Sequence, residues 1–136
     1  MTIGGLAVER ASFAPRSSRL LGQVLDALVG AAPILLLVVL DVVDVAGVAA
    51  VNTAVVLFAG AYYLLADALP GGQSLGKRWL DMAVVDATSG EPCSVGQSFI
   101  RNLLLAILGP IHWLFIFGER RQRLGDKLAG TVVLDV

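Results

Sequence analysis

Residues 20–40 read LLGQVLDALVGAAPILLLVVL, and this stretch decides the fold. It contains 13 Leu, Ile or Val residues and two polar interruptions, Gln23 and Asp26. As a helix rising about 1.5 Å per residue it is about 31 Å long, the thickness of a bilayer's hydrocarbon core. At roughly −0.3 to −0.6 kcal/mol each, the branched aliphatics favour insertion by about 6 kcal/mol. One central Asp opposes this by roughly 2.5 to 3.5 kcal/mol. The helix is therefore expected to insert in spite of Asp26.

The rest of the chain agrees. Of 136 residues, 57% are hydrophobic and 15% are charged, with a mean hydropathy of +0.80. A soluble domain carries about 25% charged residues, and one this short cannot bury so much apolar surface. The formal charge of −1 gives no basic excess for nucleic acid. One cysteine, Cys93, makes neither an internal disulfide nor a Cys-based zinc site. His112 has no partner residue that would complete a metal site. No nucleophile elbow, phosphate loop, dinucleotide fingerprint or HExxH pattern is present. The expectation is a small integral membrane protein, not an enzyme, with no cofactor and no metal.

Residues 45–69 form a second apolar span, with Asp67 near its far end. The intervening turn at 41–44 is short enough only for a helical hairpin. That turn has no Lys or Arg, whereas Arg10, Arg16 and Arg19 precede the first span and Lys77, Arg78 and Arg101 follow the second. The positive-inside bias places the N-terminus and residues 70–98 in the cytoplasm. The first apolar run is too long for a cleaved signal peptide, and a second follows at once.

A third hydrophobic segment occupies 99–118, its apolar part being 102–118. Gly109-Pro110 lies in its middle. It reads as a re-entrant pair of short half-helices bent at that point, which keeps all ten basic residues on one face. A Pro-kinked single crossing is the alternative.

Between these segments lies a small cytoplasmic module. Residues 74–80 read as interfacial, with Leu75, Trp79 and Leu80 toward lipid and Lys77 and Arg78 toward water. Residues 82–87 and 131–136 read as two strands that pair with each other, since a lone strand leaves its backbone unsatisfied. Ser94-Val95-Gly96-Gln97 fits a capping box that starts a helix.

Three motifs carry a resemblance to a known family. They are Arg19-Leu20-Leu21-Gly22-Gln23-Val24-Leu25-Asp26; Gly72-Gln73-Ser74-Leu75-Gly76-Lys77-Arg78 with the later Arg101-Asn102-Leu103-Leu104; and the run from Arg121 through Gly125-Asp126 to Gly130-Thr131-Val132-Val133. In this order and at these spacings the chain resembles the RDD family of small bacterial membrane proteins, over about residues 11–136. The family's name arginine and aspartates map to Arg19, Asp26 and Asp126. Gly76, Lys77, Arg101, Gly130 and Thr131 are further positions of the pattern. The third apolar segment is shorter than the resemblance implies. What the resemblance implies is a single-domain, multi-pass protein of the bacterial plasma membrane, for which transport is sometimes proposed.

The polar residues in the spans are the candidate sites: Asp26, Arg19, Asp67 and Asn52. Gly22, Asp26 and Gly30 share one helix face, and Ala46, Ala50 and Ala54 form a matching small-residue stripe on the second span. Asp26 reads either as an ion or proton site or as a packing carboxylate bonded to Asn52, Thr53 or a neighbouring subunit. Arg19 reads as a boundary anchor or as a partner for Asp67. Arg19 faces water in this reading and does not pair directly with Asp26. Asp126 reads as a helix cap toward the following N–H groups, or as a partner of Arg101 or Arg121. His112, Tyr62, Tyr63, Trp79 and Trp113 read as interfacial residues. Two function classes follow. One is an accessory or scaffold subunit of a larger membrane complex. The other is an oligomeric ion- or proton-coupled transporter component using Asp26.

Overall fold

A computed structural model of the chain describes residues 12–42 and 48–136. Expectations that fall on Arg10, on Ala46, on the start of the second span at 45–47 and on residues 43–44 of the turn lie outside the described residues.

Helix α1 runs Arg16–Val42 and α2 runs Val48–Leu65. Both are long and apolar enough to cross a membrane, and their most apolar stretches are only 6% and 17% buried. A soluble core helix would be mostly buried, so these two present their apolar sides outward. Leu35, Leu36, Leu57 and Phe58 are among the exposed residues. The helices meet where Gly30 approaches Ala59 and Tyr62. Ala54, from the expected stripe on the second span, is instead exposed. The contact therefore lies closer to the far end of α2 than the stripe suggested.

Short 3-10 turns at Ala66–Ala68 and Pro70–Gly72 follow α2. Helix α3, Leu75–Trp79, starts at Ser74, whose hydroxyl accepts from the Lys77 N–H at 3.3 Å. Strand β1 is Met82–Asp86. Helix α4, Val95–Leu108, starts at the expected capping box: Ser94 Oγ accepts from Gln97 N–H, and Gln97 Oε1 accepts from Ser94 N–H. The chain bends at Gly109, whose φ of +55° suits glycine, and continues as a 3-10 segment, Gly109–Phe117. Helix α5 is Leu124–Ala129, closed by Gly130 in the left-handed region, and β2 is Thr131–Asp135.

The two strands pair antiparallel, Met82 opposite Asp135 and Asp86 opposite Thr131. This is the pairing the sequence required, one residue shorter at each strand's end. A stretch before α1 joins in: Phe13 bridges Leu134, and Ala14 N–H donates to Val133 O. Ala14, Met82, Val84, Cys93 and Val133 form the module's core.

The third hydrophobic segment has two arms about the expected bend. Helix α4 is about 21 Å long, too short to cross a hydrocarbon core. Its first turns adjoin the end of α2, where Ser98 Oγ donates to Leu64 O at 2.8 Å. After the bend, Ile116 O accepts from Arg16 Nε at the start of α1. Both arms thus end where α1 begins and α2 stops. The sheet and α5 sit at that same end.

Candidate functional site

The charged residues of the three motifs converge at this end of the hairpin. Asp26 lies 2.9 Å from the Gly76 N–H, 2.5 Å from Ser74 Oγ, 3.1 Å from Tyr62 Oη and 3.4 Å from Lys77 Nζ. All four donate to its carboxylate. Neither Asn52 nor Thr53 takes part. Asn52 lies toward the opposite end of the hairpin, lining a groove with Leu37 and Asp41. The expected partners were on the second span, which supplies Tyr62 instead, while α3 and its cap supply the other three.

The contact needs Gly76. A Cβ there would stand 2.4 Å from Gly22 O and 2.9 Å from Asp26 Oδ1. The two glycines let the backbone of α3 rest directly on α1 and aim an N–H at the carboxylate. Lys77, expected to face water, is buried instead, because α3 lies against the hairpin. Its ammonium bridges Asp26 at 3.4 Å and Asp67 at 2.6 Å.

Asp67 continues the chain of charges. Besides Lys77 it meets Arg101 Nη1 at 3.2 Å and accepts from Asn102 Nδ2 at 3.2 Å. The expected Arg19–Asp67 pair does not form. Arg19 ion-pairs with Asp126 and donates to the carbonyl of Arg121. It is buried rather than facing water, because the returning C-terminal segment covers the start of α1.

Asp126 is the hub. Arg101 donates to its Oδ1 through Nε at 2.8 Å, and its Nη2 ion-pairs with the same oxygen at 2.8 Å. Arg19 pairs with its Oδ2, and Arg123 Nε lies 3.7 Å from that atom. Asp126 does cap a helix, but backward: it accepts from the Arg123 N–H at 3.0 Å. Of the two arginines considered for it, Arg101 binds it. Arg121 turns away and donates to Phe13 O. Burial by itself would raise the Asp126 carboxyl. Arg101, then Arg123 and Arg19, outweigh it and hold the carboxyl well below the usual range. Burial pushes the Arg123 guanidinium down to about 10, against the pull of Asp126.

The pairs run in a chain, Asp26, Lys77, Asp67, Arg101, Asp126 and Arg19, that α1 itself closes into a ring. It starts and ends on α1, where Arg19 and Asp26 lie two helical turns apart. With Arg123, four cations face three carboxylates. Arg19, Arg101, Lys77, Arg123, Asp67 and Asp126 are all buried. Charges so placed are tolerable only when paired. A cavity of about 20 Å³, room for one water, lies beside the ring against Asp26, Asp67, Lys77 and Arg123.

Two glycines of the third motif have distinct roles, Gly125 in close packing and Gly130 in ending a helix. A Cβ at Gly125 would stand 2.6 Å from both Arg101 O and His112 Cε1. His112 is fully buried at this contact rather than interfacial. Gly130 ends α5 at φ +69°, and Thr131 enters β2 fully buried, its carbonyl accepting from Gln122 Nε2 at 2.7 Å.

Residues 13–130 match the RDD family. This chain belongs to the RDD family. Arg19, Asp26 and Asp126 all fall within the matched residues. The chain is also similar to the proline-rich antigen homologue of Mycobacterium tuberculosis, 36% identical over 69 residues, which is 48% of this chain and 29% of the relative. The proline-rich antigen of Mycobacterium leprae is 33% identical over 69 residues, 48% of this chain and 28% of the relative. The chain spans less than a third of the length of these relatives. No solved structure matches it.

Reading the sequence missed Tyr62, Ser74 and Arg123 as members of the RDD site. Tyr62 carried the marks of a headgroup anchor, and Arg123 counted only as one of the ten basic residues that set the orientation. Ser74 had a signal, since it opens the Ser74-Leu75-Gly76-Lys77 motif. Among the described residues no group of three His, Cys, Asp or Glu forms a metal site.

Proposed function

We propose that this RDD protein is an accessory or scaffold subunit of a larger membrane complex, in which the ion-pair ring locks a small rigid platform onto a transmembrane hairpin. One observation carries this reading: each of the three carboxylates has at least one cation and one further donor, so no acid in the ring is spare. A carboxylate bound by four donors, as Asp26 is, serves as a clamp. The short length of the match within the mycobacterial relatives also suits a module joined to other parts.

In this proposal the protein is multi-pass in the bacterial plasma membrane. The N-terminus, sheet and α5 are cytoplasmic, α4 with the following 3-10 segment is re-entrant, and the chain has no enzymatic activity. The ten basic residues support that orientation, because each precedes α1, lies in its first turn or follows α2.

The water-sized cavity beside Asp26, Asp67 and Lys77 favours a second reading, an ion- or proton-coupled transporter component. Two spans and a re-entrant arm cannot enclose a path, so that reading requires an oligomer. Wild type and Asp26→Asn separate the two. A clamp predicts that Asp26→Asn lowers the level of folded protein, while liposomes bearing wild type give no pH change under an imposed cation gradient. A cation-driven pH change with wild type, lost in a folded Asp26→Asn, would overturn the scaffold reading.

A further inference from the structure

The third hydrophobic segment leaves an apolar groove at the start of α1 that the ring does not use. Its volume is about 340 Å³, and its lining is Arg16, Ser17, Leu20, Leu114, Ile116 and Phe117. Leu20, Leu114 and Phe117 are 53%, 66% and 71% exposed, so the groove is open along one side. One cation stands at its mouth. The Arg16 guanidinium lies 5.2 Å from the centre of the Phe117 ring, and its Nε donates to Ile116 O. These two contacts orient the planar head and leave both terminal amino groups for an outside acceptor.

We propose that this groove is a binding site for one anionic phospholipid, with its phosphate on Arg16 and an acyl chain along Leu20, Leu114 and Phe117. The proposal goes beyond the scaffold reading and rests only on α1 crossing the bilayer. Three features support it. First, the height is right: Arg16 precedes the apolar run at Leu20 by four residues, about 6 Å along the helix. The headgroup layer of one leaflet is roughly 5–7 Å deep, so Arg16 lies at phosphate level while Leu20 lies at the first methylenes. Second, the charge fits: two terminal N–H₂ groups in one plane suit a phosphate's paired oxygens. Third, the remaining surface is apolar and continuous with the outer face of α1, as an acyl chain requires.

The test counts lipids retained on the purified full chain by native mass spectrometry, after extraction from nanodiscs of equal phosphatidylglycerol and phosphatidylcholine. Wild type is expected to keep one phosphatidylglycerol in preference to phosphatidylcholine. Arg16→Gln should lose that preference at least fivefold, and Leu114→Trp should reduce retention by filling the groove with Arg16 intact. Leu114 is exposed, so the second variant folds even if the first does not. Arg78→Gln, at an exposed arginine away from the groove, should retain the lipid. Added inorganic phosphate should not displace it. Equal retention of the two lipids by wild type would overturn the proposal, as would full retention by both groove variants or displacement by phosphate alone.

Discussion

Replacing Asp126 by Asn removes one negative charge from among three arginines. Arg101 lies 2.8 Å from its carboxylate, Arg123 Nε lies 3.7 Å away, and Arg19 pairs directly with it. All four side chains are almost wholly out of water. An amide oxygen still accepts a hydrogen bond but neutralises nothing. Breaking a buried pair from one side costs about 3–5 kcal/mol. Here one change uncovers several cations, so the expected loss is at the upper end, about 4–5 kcal/mol. At roughly 3–4 °C per kcal/mol for a chain of this size, the unfolding midpoint should fall by about 12–20 °C. Cys93 supplies the assay. It is the sole cysteine and is buried, and burial pushes its thiol up to about 11. A thiol-reactive dye therefore labels it only as the fold opens, during a thermal ramp in detergent. The acid limb gives a second check. Asp126 has a depressed folded pKa, so its stabilisation is present above the unfolded value of about 3.9 and is lost as pH falls below it. Tryptophan fluorescence should show that loss from about pH 4 downward in wild type and a weaker pH dependence in Asp126→Asn. A midpoint within about 2 °C of wild type would refute the reasoning.

Gly76→Ala should lower the yield of folded protein severalfold, since its Cβ meets Gly22 O at 2.4 Å, whereas Gly96→Ala, with nothing within 4 Å, should be tolerated; membrane fractions on a blot compare the two. Lys77→Met leaves Asp26 and Asp67 without their shared ammonium and should cost about 3–5 kcal/mol by the same thiol assay. Asn52→Leu lies outside the ring and should change stability by no more than about 0.5 kcal/mol; a larger loss would assign Asn52 a structural role that the ring does not explain.

Much of the architecture was legible in the residues. The capping box at Ser94 and Gln97 names a local bond whose partners are three residues apart, so no distant packing is needed to recognise it. The strands at 82–87 and 131–136 were legible because an unpaired strand is costly and each was the other's available partner. The ion pairs were different. Lys77 looked solvent-facing because α3, viewed alone, is a short amphipathic turn. Arg19 looked like a boundary residue because nothing local covers it. Asn52 was attractive as a polar residue in an apolar span, yet it lies at the wrong end of the hairpin to reach Asp26.

Sequence alone determined that two long apolar helices form a hairpin, where the third segment bends, and where a capping box starts a helix. Those conclusions depend on hydrophobic runs, turn residues and motif spacing, all of them local properties. Only the tertiary structure decided who pairs with whom. The ring draws on α1, the turn after α2, α3, α4 and α5, up to 107 residues apart in the chain. Close approach at Gly76 and Gly125 sets those distances, and at ion-pair range a shift of a few ångströms exchanges one partner for another.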